Sequence, residues 1–513
     1  MTPALTDSMR HAPGVSEAAA PTPATAPRSS PVDVQYADPV DPWATAEAAA
    51  IAAGGHPGGY TPHPDGTWTV PEPGRKRIRT YLLAGGAAAV VVAIVAAAAV
   101  IFWPGHPALD YHPLKQVERI TPLVPISSTF ADTEVLGERA YFASVNDTGR
   151  LHVVAADTGD GRVFWESDQA GQATSWKSMY ALPSALVLIS GTDSATSTSR
   201  VVVLDAIYDG KVLWEKRLGA NDDIYLSSKI MVWVNREADK LIGLGTADGL
   251  EKWSLDDPDA STIHLITTPD DLNGPAGDNG RIFAPDTDDD QRFVQIDSDR
   301  TATVRDLNTG NALRKRPGVA GTSDKVVAHD GRLYVLEPGT TKRIFSYDLG
   351  SLESSQPVTL HTASSTEDIK SLTPCGKLLC FVLTKGYDRK TDVIMAVGEE
   401  PWQKPQPEVE ALVPVGDNGL LAVGDEGTAL LVDGKEAWYN LGVAVRLDAG
   451  NVLRFSRGLS SSVDDRGLSG AHVGEKPVDL GVLEDVRSET CSWSTSAVTC
   501  ATETEYVIYS FAG

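Results

Sequence analysis

The chain has 513 residues, a formal net charge of -25 and a pI near 4.7. That charge opposes non-specific binding to nucleic acid, which needs a basic surface, and it suits a soluble, self-repelling exterior. The length allows one large domain with appendages.

Residues 1–74 are rich in Pro, Ala, Ser, Thr and Gly, as in PTPATAPRSSP from Pro21 to Pro31. Such a segment buries too little apolar surface to offset its conformational entropy, so it is expected to be a disordered tail. Trp43 to Ala53 could form a short helix, capped by Asp41 and stopped by Gly54 and Gly55, and is read as an Ala-rich spacer. Tyr81 to Trp103 (YLLAGGAAAVVVAIVAAAAVIFW) has no charged side chain. As a helix rising about 1.5 Å per residue it is roughly 30 Å long or slightly more, the thickness of a bilayer's hydrocarbon core. Arg75, Lys76, Arg77 and Arg79 precede it, and no comparable basic cluster follows. The positive-inside bias places the N-terminus in the cytoplasm and everything after Pro104 outside. The residues after the span, Pro104-Gly105-His106, are not an A-x-A cleavage site, and a long tail precedes it, so a signal-anchor is expected. The expected organisation is a tail over 1–74, a basic flank and single span over 75–104, a linker over 105–116 and an exported domain over 117–513.

Beyond the linker, short apolar runs alternate with Gly, Asp, Asn and Pro turns. Examples are Tyr141 to Val145, Ala185 to Ile189, Ile230 to Val234, Arg332 to Leu336 and Leu378 to Leu383. These are strand signals, and they recur roughly every 40 to 50 residues, the period of four-stranded propeller blades. A finer signature rides on the period. Asp157 and Gly161 precede Trp165; Asp205 and Gly210 precede Trp214; Gly249 precedes Trp253; Asp433 and Gly434 precede Trp438. Asp306 and Gly310 keep the turn, with Arg314 where Trp would stand. Asp and Gly suit a tight hairpin in which Gly takes positive φ. The Trp that follows is placed to begin an outer strand and pack against the next blade.

These repeats resemble the tryptophan-docking repeats of PQQ-like (quinoprotein-like) β-propellers, over about Val117 to Gly513. The resemblance implies an all-β propeller, expected here with eight blades and seven as the alternative. Blade starts are expected near residues 138, 182, 228, 279, 329, 376, 417, 449 and 495, with the closely spaced seventh and eighth sharing one blade. The short last blade is expected to be completed by a strand around Arg119 to Val124, which would close the ring.

Cys375 and Cys380 lie in CGKLLC, and Cys491 and Cys500 in CSWSTSAVTC. Three connectivities exist; in an oxidising compartment the local pairs Cys375–Cys380 and Cys491–Cys500 are the expected bridges. Neither pair has the C-x2-C spacing or the His company of a zinc site.

Quinoprotein dehydrogenases hold pyrroloquinoline quinone and calcium on this scaffold with a vicinal disulfide. This chain has no adjacent cysteines, so the resemblance carries the scaffold and no cofactor. Asp286, Asp288, Asp289 and Asp290 resemble half a calcium loop, but Gln291 stands at the turn Gly and no bidentate Glu follows. The run Gly243 to Gly249 nearly spells a dinucleotide fingerprint, yet no helix pattern follows. His152 is read as a packing or surface residue. No catalytic, cofactor or metal residue is therefore expected. The expected function is a membrane-anchored, non-catalytic binding platform outside the cell membrane, serving cell-envelope assembly. Its partners would be envelope proteins or cell-wall lipid. Some actinobacterial propellers with this anchor layout, associated with cell-wall lipid export and polar growth, are similar. A lipid- or ligand-sensing propeller is the alternative, and a PQQ-dependent oxidoreductase ranks below it.

Overall fold

The computed structural model describes residues 106–127, 129–257, 261–272, 274–275, 291–386 and 392–513. The tail, Arg75 to Arg79 and the apolar span Tyr81 to Trp103 lie outside the described residues, as do Asp286 to Asp290. The chain divides into Met1–Trp103 and Pro104–Gly513, and all the described residues belong to the second unit. Among the described residues no helix is long and apolar enough to cross a membrane. The one helical element there is the single turn Pro269–Leu272.

Everything else regular is strand. Antiparallel strands follow one another in meanders of four, which occupy 131–167, 176–219, 223–256, 262–316, 325–362, 367–405 and 409–441. An eighth meander runs from Ala444–Arg446 into the long strand Val478–Trp493. The second half of that strand opens a ninth with Ala497–Ala501 and Tyr506–Ala512. Its fourth strand comes from the start of the domain: Tyr111–Ile120 pairs antiparallel with Tyr506–Ala512, Lys115 facing Ser510 and Ile120 facing Tyr506. The closing strand is thus earlier than expected and begins inside the segment assigned to the linker. Ile120 ends it, and Thr121 to Val124 is irregular.

Numbering the blades in chain order, the first strands of blades 1 and 2, 4 and 5, 5 and 6, 6 and 7, and 7 and 8 touch each other, and that of blade 1 touches Val478–Trp493, which identifies them as the inner strands of a ring. Those of blades 4 and 5 come close enough to pair in parallel, Ile266 with Ala328 and Thr267 with His329. The core lies between blades. Nine clusters of buried side chains fill nine seams among the described residues, each joining one meander to the next. The last joins Tyr506 and Ile508 to Phe142 and Val154 and so closes the circle. Alternation along the strands explains the arrangement: Tyr141 and Val153 face blade 2, whereas Phe142 and Val154 face blade 9. The second strands of the blades are buried on both faces, so they read as continuous apolar runs, whereas outer strands such as Ala312–Arg316 and Lys435–Leu441 are largely exposed.

The described residues thus form nine meanders, where eight blades were expected. The nine starts noted in the sequence were all separate. Blade 7 is short because its turns are minimal, Gly416 to Asn418 and Asp433-Gly434, and its closeness to blade 8 does not reflect a shared sheet. Successive antiparallel strands put the first-to-second and third-to-fourth turns on one face, here called the turn face. The remaining connections lie on the opposite face.

Candidate functional site

The Asp–Gly turns sit at the seams. Asp157 Oδ1 accepts from the backbone N–H of Gly159 at 2.8 Å, and Asp205 Oδ1 from those of Ile207 and Tyr208 at 2.8 and 2.9 Å. Asp306 Oδ1 binds Thr309 N at 2.8 Å in the same manner. Gly161, Gly210, Gly249, Gly310 and Gly434 all have φ between 64° and 74°. A register shift in the strand pair follows each of the first turns, Ala155/Ala156, Val203/Leu204, Gly243/Leu244 and Val304/Arg305. These bulges turn the next side chain toward the neighbouring blade.

Trp165 lies against Gly210 of blade 2, Trp214 against Gly249 of blade 3, and Trp253 against Gly310 of blade 4. Each indole Nε1–H donates to the carbonyl just beyond the first residue of the turn: Ala206 at 3.3 Å, Thr246 at 2.8 Å and Leu307 at 2.9 Å. A Cβ on Gly210 would stand 2.5 Å from Trp165 Cε3, so only glycine fits beneath the ring. Arg314 takes the Trp position in blade 4, its Nε donating to Gly350 O of blade 5 at 3.2 Å. Trp438 departs from the pattern. It packs against the cluster between blades 7 and 8, its Nε1 is buried without a hydrogen bond, and the Arg454 guanidinium lies 4.6 Å from its ring centroid.

Two docking residues escaped the sequence reading. Trp402 of blade 6 lies over Gly434 of blade 7; its four-residue spacing from Gly398 was visible, but the Asp of the turn is missing. Glu118 of the closing strand covers Gly161, whose Cβ would meet Glu118 Cβ at 2.2 Å. A glutamate there carries no recognisable signal. The two cysteine pairs are bridged as expected, Cys375–Cys380 and Cys491–Cys500, with Cα separations of 5.8 and 4.2 Å. Each ties the first two strands of one blade, 6 and 9.

Groups with catalytic composition are found in the seams. Ser144 faces His152 across a strand pair, and His152 Nε2 lies 3.4 Å from Glu166. Ser144 and His152 are 0% and 3% exposed, so no substrate reaches either side chain, while Glu166 lies at the surface. Burial lowers the His152 pKa against the pull of Glu166 and Asp168. On the face opposite the turn face, a cleft of about 220 Å³ is lined by Gln406, Glu408, Asp425, Glu426 and Tyr439 among others. No group of three or more metal-binding side chains occurs among the described residues.

A second cluster lies at the axial end of the turn face. Arg446 ends the inner strand Ala444–Arg446 of blade 8 and is buried. Its Nε donates to Gly274 O at 2.9 Å and its Nη1 to Pro414 O at 2.8 Å. Gly274 belongs to the first connection of blade 4, so a segment from one side of the ring reaches the other. Burial pulls the Arg446 pKa down to about 10, opposed by Asp271 and Asp448. Asp271 accepts from Thr268 N at 2.5 Å, and burial raises its pKa. His329 Nδ1 lies 2.9 Å from Thr267 Oγ1, while its buried Nε2 has no partner. No spacing in the sequence announced this cluster, because its members come from blades 4, 5, 7 and 8.

Residues 147–273 match the family described as outer membrane protein assembly factor BamB. No match to this sequence is found among curated proteins. Among solved structures, BamB from Moraxella catarrhalis aligns at 12% identity and a TM-score of 0.38, covering 78% of this chain and 98% of that one. A eukaryotic initiation factor aligns at 12% identity and a TM-score of 0.48, covering 71% and 91%. The computationally designed Ika8 protein aligns at 15% identity and 0.39, covering 66% and 96%.

Proposed function

We propose that this chain, a PQQ-like β-propeller, is a non-catalytic binding platform for protein partners in assembly of the cell envelope. It is held to the membrane by the span Tyr81 to Trp103, with the ring on the outer side. The observation that carries the reading is the location of the motif residues. The Asp, Gly and Trp of the repeats are engaged in blade-to-blade docking, and the serine and histidine of the Ser–His–Glu grouping, Ser144 and His152, are buried in a seam. The exposed connections on the two faces are what remains for recognition, the usual place for it on a rigid scaffold. The matched family supports the envelope context, since its description is that of an outer-membrane assembly factor. Position and charge of the basic flank support the topology.

The test is in-cell crosslinking of the full chain followed by affinity capture and mass spectrometry, with protease added to intact spheroplasts as the topology control. Capture of envelope proteins through crosslinks on the exposed turns is the expected result. Crosslinks confined to cytoplasmic proteins, or a ring protected until the membrane is opened, would overturn it.

A further inference from the structure

The chain enters the ring on the turn face, and it is pinned there within three residues of the apolar stretch that ends at Trp103. His472 Nε2 donates to His106 O at 3.0 Å. Asn451, which is 0% exposed, donates through Nδ2 to Pro107 O at 2.9 Å and accepts from Leu109 N at 3.2 Å. A Cβ on Gly450 would stand 2.8 Å from His106 Cβ, so the entering chain lies directly on that turn. These partners belong to the first-to-second turn of blade 8 and to the end of its third strand, and Tyr111 then pairs with Ala512, where the third strand of blade 9 ends. Three residues reach about 11 Å at most, and the headgroup layer on each side of a bilayer is about 5–8 Å deep. A span that ends at Trp103 therefore holds this part of the turn face at the lipid surface. The opposite face is a strand length away, as in the seven residues Arg139–Val145, or about 20 Å.

The turn face also carries apolar tips. Tyr208 and Leu250, in the third-to-fourth turns of blades 2 and 3, are 78% and 62% exposed. The acidic side chains of these two turns are neutralised locally, Asp209 by Lys211 and Asp248 by Lys252 at 2.7 Å. On a chain of net charge -25, that pairing weakens the repulsion from an anionic leaflet at these points. Tyrosine is a side chain that the membrane–water interface favours, with an apolar ring and a wet tip. The two tips lie three and four blades on from blade 8 through the closing seam, so contacts at both places would set the tilt of the ring.

We propose that the turn face is a lipid-binding surface, with the entry at blade 8 and the tips Tyr208 and Leu250 resting in the headgroup layer of the bilayer that holds the span. The connections of the opposite face are then the ones left to protein partners. The proposal rests on the reading of Tyr81 to Trp103 as a membrane span.

The test uses the full chain reconstituted in phosphatidylcholine–phosphatidylglycerol vesicles. All four cysteines are bridged, so one added cysteine takes a nitrobenzoxadiazole fluorophore at a single place. Tyr208→Cys and Leu250→Cys report on the turn face. Leu123→Cys, at a 76% exposed apolar position between the closing strand and blade 1, reports on the opposite face. Lipid with a nitroxide on its headgroup is expected to quench the first two labels about twofold or more and to leave the third unquenched, since it lies a strand length beyond the headgroup layer. Aqueous iodide is expected to quench in the reverse order. Equal nitroxide quenching at the three positions, or none at either turn-face position, overturns the lipid surface. Release of the chain from the vesicles by alkaline carbonate would remove the span and the proposal with it, whereas a chain that stays bound without turn-face quenching removes the proposal alone.

Discussion

Replacing Gly249 by alanine separates two costs that coincide at a blade seam. Gly249 has φ of 65°, and an added Cβ would lie 2.7 Å from Cγ and Cδ2 of Trp214. Gly137 has nearly the same backbone, φ 61°, with nothing within 4 Å of the added atom. Gly137→Ala therefore measures the left-handed backbone alone, about 1–2 kcal/mol. Gly249→Ala adds a wedge under an indole held by a 2.8 Å hydrogen bond to Thr246, and overpacking of that kind costs about 1–3 kcal/mol more. The expected loss is thus about 2–5 kcal/mol against 1–2 for the control. Trp214→Ala itself should cost about 3–5 kcal/mol. In that background Gly249→Ala should fall back to the Gly137 value, a coupling of about 1–3 kcal/mol. Urea unfolding with indole fluorescence and far-UV dichroism supplies the numbers, provided the two transitions coincide. Equal losses for the two glycine variants would refute the docking argument, as would a Gly249→Ala cost that Trp214→Ala leaves unchanged.

Opening the disulfides should lower stability without changing the sheets. From loop-closure entropy, Cys375–Cys380 contributes about 2 kcal/mol and Cys491–Cys500 about 3 kcal/mol, to be read from urea midpoints of Cys→Ser pairs; no shift for either pair would contradict this. Stability should also fall as the medium is acidified. Burial lowers the His264 pKa to about 4, below its unfolded value of about 6.5. The unfolded chain then binds the extra proton, so the stabilisation is full above pH 6.5 and is lost as pH falls toward 4. His152, His329 and His361 are shifted the same way by burial. His264→Gln should flatten the profile between pH 6.5 and 4; an unchanged slope would show that His264 does not carry it.

The ring was legible where its physics is local. Gly and Trp four residues apart announce a turn and a docked ring because both act within one hairpin, and eight of the nine expected starts fall within three residues of a second strand. The exception is the start near 279, where the strand begins at Arg292. The count went wrong at blades 7 and 8, since a short blade and a missing blade leave the same gap in a sequence. The closing strand was anticipated but placed too late: Tyr111 and Leu114 pack into the seam of blades 8 and 9, and their apolar character is diluted by His112, Pro113 and Lys115. Glu118 over Gly161 and Arg446 against Gly274 were not legible at all. Each is a contact between residues far apart in the chain, and no periodicity records a partner on the other side of a ring.

The pairing of Tyr111–Ile120 with Tyr506–Ala512 also sets a timetable for biosynthesis. About 400 residues separate the two strands, which at roughly 5–20 residues per second is on the order of a minute or less of translation. Throughout that interval Phe142 and Val154, which later meet Tyr506 and Ile508, present a greasy flank to the surroundings. A nascent chain in this condition is an aggregation hazard until its two ends meet.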